Sequence, residues 1–273
     1  CRDWSSDVCS SDLDRVAAET HVPCGRCFQC TTGLQHICRD MKILGVHLDG
    51  AFAEYAVLPA VCAWKLDPAI SSEIGATLEP FGIGVHALSK TKPAGKKVIV
   101  FGCGPIGIYA QMTARFSGAE VVIGVDVSGE RLAMARQMGT DIVLNPKETN
   151  VQDEVDRITH GAGMDIVVEL TGNRGVVNDA AKTLRRGGEM VLVGLFSGPV
   201  EIDLVNNVIY KEATVYGVTG RIMWDTWWTA QSMLMTGRMD ISPVITHRFD
   251  LADFDQALVL AESAKTGKII FTI

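Results

Sequence analysis

The 273-residue sequence predicts an α/β protein with a doubly wound parallel sheet, and three observations carry the prediction. Short continuous apolar runs alternate with helical patterns from Lys96 onward, as strands buried on both faces require. A glycine-rich turn joins the first run to the first helix, and an acidic residue closes the second run. Apolar residues make up 47% of the chain, enough to bury one or two cores without covalent staples.

Taken in order, the chain begins with CRDWSSDVCSSDL, which has neither helical nor strand periodicity. Residues 1–13 read as a non-native leader and are set apart from the fold. Next comes PCGRCFQCTTGLQHIC, which places Cys24, Cys27, Cys30 and Cys38 on one short segment. In a reducing compartment such a cluster points to metal, and four thiolates with no open position make a structural zinc site. A disulfide pair and an iron–sulfur cluster suit similar spacings. Gly25 and Gly33 permit the reversals that wrapping an ion requires.

From Lys96 the run KKVIVFG reads as a buried strand leading into Gly102-Cys103-Gly104-Pro105-Ile106-Gly107 and the helical IYAQMTARFSG. EVVIGVD follows and ends at Asp126, 19 residues beyond Gly107. ERLAMARQMG, DIVLNP, a polar helix near Val151–Thr159, MDIVVELTG, a helix in GVVNDAAKTLRRGG, EMVLVGL and ATVYGVTG continue the alternation. A glycine triplet alone is weak evidence, and such glycines can simply turn a corner. Here strand, glycines, helix and acid occur in the sequence that a dinucleotide needs. Gly102 makes the turn, Gly104 admits a pyrophosphate, Gly107 lets helix and strand approach, and the helix N-terminus offers free N–H groups. Asp126 would accept the adenosine ribose hydroxyls and repel a 2′-phosphate, so the expected cofactor is NAD. Cys62 and Cys103 read as residues of apolar, strand-like segments, His86 as core, and Trp224, Trp227 and Trp228 as the packing face of a helix. KIIFTI closes the chain as a strand returning to the first lobe.

With 32 acidic against 25 basic residues the formal charge is −7, and the broad basic footprint of a nucleic-acid protein is missing. No apolar run approaches the roughly 18 residues of a membrane span. The expected partner is a small molecule, with neither nucleic acid nor membrane, and the expected compartment is the cytoplasm.

ETHVPCGRCFQC, KILGVHLDGAFAEYAVLPA, LEPFGIGVHAL, GCGPIGI, YGVTGRIMWDTWW and SPVITHRF together resemble the zinc-dependent medium-chain dehydrogenases over the whole chain after the leader. The last two motifs most resemble the threonine-oxidising members, whereas LEPFG is equally at home in polyol and diol dehydrogenases. The resemblance implies a Rossmann NAD-binding domain over 76–220. It also implies a GroES-like β-barrel catalytic domain that carries the zinc lobe over 14–75 and is rejoined by 221–273. Cys24, Cys27, Cys30 and Cys38 match structural zinc ligands. Ile106, Asp126 and Arg131 match residues of the NAD site, and Pro105 lies in the same loop. Val193, Gly194 and Leu195, with Val218 and Thr219, match segments that pass the nicotinamide. Glu79 matches an acid beside the catalytic zinc, a ligand in some states; a helix-capping or salt-bridged role is the plainer alternative. His21 lies where relatives place a substrate-pocket residue. The Cys and the Gly-His-Glu segment that hold the catalytic zinc in the family have no counterpart here. The sequence therefore reads as an N-terminally truncated copy with an incomplete barrel, expected to be inactive alone. The activity implied is oxidation of L-threonine to 2-amino-3-oxobutanoate by a homo-oligomer, commonly a tetramer. A polyol or diol dehydrogenase and a non-catalytic zinc and NAD module are the alternatives.

Overall fold

A computed structural model describes residues 14–263 and 265–273, so the expected leader at 1–13 lies outside the described residues. The described residues divide into two compact units, one of residues 14–83, 219–259 and 268–273 and the other of residues 84–218, 260–263 and 265–267.

The first unit is made of short pieces. β1 (Val16–Ala18), β2 (His21–Val22), α1 (Phe28–Thr31), β3 (Lys42–Ile43), β4 (Ala63–Lys65) and α2 (Ser72–Gly75) precede α3 (Leu78–Ser89). Antiparallel pairs β1–β4 and β2–β3 form two small sheets. Ser71 starts α2 by accepting a hydrogen bond from the Ile74 N–H.

The second unit holds β5 (Lys97–Phe101), α4 (Pro105–Phe116), β6 (Val121–Val125), α5 (Gly129–Gln137), β7 (Ile142–Leu144), α6 (Val151–Thr159), β8 (Met164–Glu169), α7 (Val176–Thr183), β9 (Leu184–Leu192) and β10 (Thr214–Gly217). All six strands run parallel in the order β10-β9-β8-β5-β6-β7. This is the doubly wound Rossmann order, whose reversal between β8 and β5 opens a crevice at the carboxyl ends of the strands. β5 is apolar on both faces, and two clusters divide its side chains: Ile99 and Phe101 pack with Ile123, Val167 and Met190, Val98 and Val100 with Ile166, Val168 and Val191. α6 begins where expected because Asn150 accepts from the Gln152 and Asp153 N–H groups, and it ends at His160, left-handed at φ 53°, followed by Gly161. The helix expected across GVVNDAAKTLRRGG stops at Thr183; Leu184–Gly188 already belong to β9, which runs to Leu192.

The chain re-enters the first unit with α8 (Asp225–Met235) and β11 (Ile245–Asp250), and after α9 (Phe254–Glu262) the closing strand β12 (Lys268–Thr272) pairs in parallel with β11. Trp227 is buried, and Trp64 lies against Trp224, Trp227 and Trp228, the last of which keeps a largely exposed ring. Cys62 ends a 3-10 turn and Cys103 sits in the loop after β5, so neither is a strand residue, although both are fully buried and His86 is core. Burial pushes the Cys103 thiol up to about 12 and that of Cys62 up to about 11, which leaves both inert. Among the described residues no helix is long and apolar enough to cross a membrane.

Candidate functional site

In the doubly wound unit, the loop after β5 carries the glycines into a cavity of about 1080 Å³. Gly102 adopts φ 101° and its missing side chain leaves room for Leu170 C and Thr171 N, which a Cβ would approach to 3.2 and 3.3 Å. At Gly107 a Cβ would stand 1.9 Å from Gly102 O, so any other residue there forces helix and loop apart. Gly104 is different. Its backbone is ordinary extended, and a Cβ would meet only Arg131 Cζ, at 4.0 Å. The protein itself therefore does not require glycine at 104; a ligand pressed against the loop would. α4 starts there with Pro105 at its first position and no side-chain cap, leaving its first N–H groups free on the cavity wall.

Asp126 follows β6 and is buried at 8% exposure. Oδ2 accepts from Cys103 N at 2.8 Å and Oδ1 from Ser128 N at 2.9 Å, which fixes the carboxylate at the edge of the glycine loop. Arg131 Nη1 lies 4.0 Å from it, and Arg131 Nε is buried without an acceptor among the described residues. An anionic group against Gly104 would satisfy that donor and the helix N-terminus together. Gly102, Gly104, Pro105, Ile106, Gly107, Asp126 and Arg131 all line the cavity. Val193, Gly194, Leu195 and Val218 do not. The first three follow β9, and Leu195 is 88% exposed. Leu170, Thr171, the loop at 146–150 and the first two residues of α6 also line it, a contribution that sequence motifs did not signal.

In the other unit, Cys24, Cys27, Cys30 and Cys38 place their sulfurs within 4.8 Å of one another. Cys27 Sγ is 3.5 Å from Cys30 Sγ and 3.7 Å from Cys38 Sγ, close to the roughly 3.8 Å edge of a tetrahedron with zinc–sulfur bonds of about 2.3 Å. All four cysteines are free, Cys24 N–H donates to Cys38 Sγ, and the backbone N–H groups of Cys30 and Arg39 hold the Cys27 thiol down to about 6. The donor set fits a closed structural zinc site, as the spacing predicts. Among the described residues it is the one group of three or more potential ligands that could share an ion.

The same unit contains a buried charged network. Glu19, fully buried, accepts from Arg221 Nε and Trp227 Nε1 at 2.9 Å each, from His21 N at 2.9 Å, and from Arg221 Nη2; His21 Nδ1 lies 2.8 Å away. Burial would raise the Glu19 carboxyl, but the His21 and Arg221 contacts overcome it and hold the group at about 2. Arg221 Nη1 reaches Glu79 Oε1 at 2.7 Å, and Thr20 Oγ1 donates to the same oxygen at 3.2 Å. Glu79 is thus ion-paired through Oε1. Among the described residues Glu79 belongs to no group of three or more potential metal ligands, so they do not fit a second zinc.

Two family models match the chain: "Zinc-binding dehydrogenase" over residues 105–234 and "Alcohol dehydrogenase GroES-like domain" over residues 11–68. The L-threonine 3-dehydrogenase of Pyrococcus furiosus is 40% identical over 261 residues, which is 95% of this chain and 75% of that protein. That of Bacillus licheniformis is 40% identical over 93% of this chain and 74% of its own. Among solved structures, a short chain alcohol dehydrogenase from Escherichia coli CFT073 complexed with NADH superposes with a TM-score of 0.88 at 28% identity, covering 95% of this chain and 77% of that one. L-idonate 5-dehydrogenase from Escherichia coli K-12 gives 0.86 at 26%, covering 95% and 75%.

Proposed function

We propose that this chain, which belongs to the zinc-binding alcohol dehydrogenase family, serves the NAD-dependent oxidation of the secondary alcohol of L-threonine to 2-amino-3-oxobutanoate. One observation supports the dinucleotide above all others: the space over Gly104 that no described residue fills closer than Arg131 Cζ at 4.0 Å, bounded by an uncapped helix N-terminus and by Arg131 Nε, which has no acceptor among the described residues. NAD, when bound, supplies the hydride acceptor. Gly102, Gly104, Pro105, Ile106 and Gly107 hold its pyrophosphate, Asp126 accepts the adenosine ribose hydroxyls, and Arg131 neutralises phosphate charge. Val193, Gly194, Leu195, Val218 and Thr219 line the nicotinamide half. Cys24, Cys27, Cys30 and Cys38 hold a zinc that keeps their lobe folded and takes no part in chemistry. Glu79 and His21, both held by Arg221, are the substrate-side candidates. L-Threonine is preferred over a polyol or diol because the L-threonine 3-dehydrogenases of Pyrococcus furiosus and Bacillus licheniformis each share 40% of residues over more than nine-tenths of this chain. The working form is a cytoplasmic homo-oligomer, the tetramer.

Two tests follow. Gly104→Ala should keep fold stability within about 1 kcal/mol, since its backbone is ordinary, yet weaken NADH at least about tenfold by titration calorimetry. Gly107→Ala should instead cost about 3 kcal/mol in denaturant unfolding, because backbone meets backbone. Equal NADH affinity in wild type and Gly104→Ala would remove the dinucleotide reading. For the substrate, NADH formation is compared with L-threonine, sorbitol and 2,3-butanediol. Little or no NADH formation is expected of this chain alone, given the single metal-ligand group among its described residues, and any rate that is seen should be confined to L-threonine. A faster rate with either other alcohol would replace the substrate.

A further inference from the structure

Glu169 ends β8, one of the two strands that flank the point where the sheet order reverses, and it is fully buried. A carboxyl group taken out of water needs partners for both oxygens, and this one has them on one side only. Oε1 accepts from Thr171 N at 2.7 Å and from Thr171 Oγ1, and Thr171 Oγ1 in turn accepts from Asn173 N at 3.0 Å. Oε2 is buried with no hydrogen-bond partner among the described residues. Burial pushes the carboxyl up from its ordinary range, against the pull first of the Thr171 hydroxyl and then of the Thr171 and Gly172 N–H groups.

What the side chain touches gives it a task. Glu169 O accepts from both Val193 N at 3.0 Å and Gly194 N at 3.1 Å, so the strand end anchors the loop after β9. A Cβ at Gly194 would fall 2.5 Å from Glu169 Oε2 and 2.4 Å from Gly172 N. Gly172 itself is left-handed at φ 65°, and a Cβ there would fall 2.7 Å from Leu195 O. The loops at 170–172 and 193–195 therefore press directly on each other with the Glu169 carboxyl in the seam. Glycines at 172 and 194 are the only residues that let them close. Asp126 belongs to the half of the sheet formed by β5–β7, which takes one mononucleotide; the half formed by β8–β10 takes the other.

We propose that Glu169 is a positioning residue that sets the spacing of the 170–172 and 193–195 loops, and through them the binding of the nicotinamide half of the cofactor. This rests on the NAD reading above. The adenosine half, held by Gly104 and Asp126, does not depend on it. Affinities for NADH and for ADP-ribose, which lacks the nicotinamide, separate the two roles by calorimetry on the intact chain. Glu169→Ala is expected to weaken NADH about tenfold or more while ADP-ribose stays within about twofold. Glu169→Gln, which keeps the volume and the acceptor for Thr171 N–H, should return NADH to within about threefold of wild type. Equal loss of both ligands in Glu169→Ala, or unchanged NADH affinity, overturns the proposal. So does a glutamine variant that loses NADH tenfold, a result that decides the matter even if the alanine variant fails to fold. A wild-type chain that binds neither ligand would instead bring down the NAD reading itself.

Discussion

Arg221→Met is expected to destabilise the protein by about 3–5 kcal/mol, read as a shift in the midpoint of denaturant unfolding. The guanidinium is 1% exposed and stands between two carboxylates, donating to Glu19 from two nitrogens and to Glu79 from the third. Its removal leaves the Glu19 carboxylate in the interior with only the His21 and Trp227 contacts, and a buried charge without its counter-ion is among the costliest single changes a fold can suffer. Glu19→Gln in the same background removes that charge. The double variant should therefore recover part of the loss, with a coupling of about 0.5–3 kcal/mol in the cycle. Additive effects would mean that the two side chains do not sense each other.

The same pair sets a pH dependence. Glu19 is held at about 2 against an ordinary 4.5, so its contribution of about 3 kcal/mol is complete above pH 4.5 and disappears as pH falls from there toward 2. Glu19→Gln should flatten stability across that window. An unchanged acid limb would assign the acid transition to other carboxylates.

Much of the doubly wound unit was legible in the sequence because each of its signals is local. β5, the glycine loop and α4 occupy 20 consecutive positions, and Asp126 is fixed by backbone groups of residues 103 and 128. The four cysteines are equally compact. The Glu19–Arg221 pair spans 202 residues, and nothing in ETH or in VTGR taken singly announces it, although both motifs were visible. Glu79 reads in the sequence as an acid without a partner for the same reason: the guanidinium paired with its Oε1 lies far along the chain. The boundary between α7 and β9 was misplaced because the polar pair Arg185 and Arg186 suits a helix end as well as a strand entering a sheet. The strand begins at Leu184, which pairs with Met164, and the two arginines fall in the register shift before Glu189 pairs with Ile166. Glu169 escaped notice because a lone acid at the end of an apolar strand carries no pattern; its meaning comes from two glycines on two other loops.

Withdrawing metal from the cysteine lobe should have the largest local effect of all. Between Cys24 and Cys38 the chain forms one turn of α1 and a 3-10 turn, and the buried cluster there consists of the cysteines themselves with Met41 packed against them. Phe28 and Ile37, the large apolar side chains nearby, are exposed, so burial supplies little. A segment this short does not hold its shape on an apolar core, and coordination must stand in its place. Metal bound by comparable thiolate sites contributes on the order of 10 kcal/mol of folding free energy at neutral pH. Metal analysis of the purified chain should therefore return one zinc tightly held at this site. A strong chelator, or Cys30→Ser, should abolish hydrogen-exchange protection across residues 24–38, while the amides of β5 and β8, buried in their own core, keep theirs. Protection of the lobe that survives complete removal of metal would assign its stability to packing that the cysteine spacing does not explain.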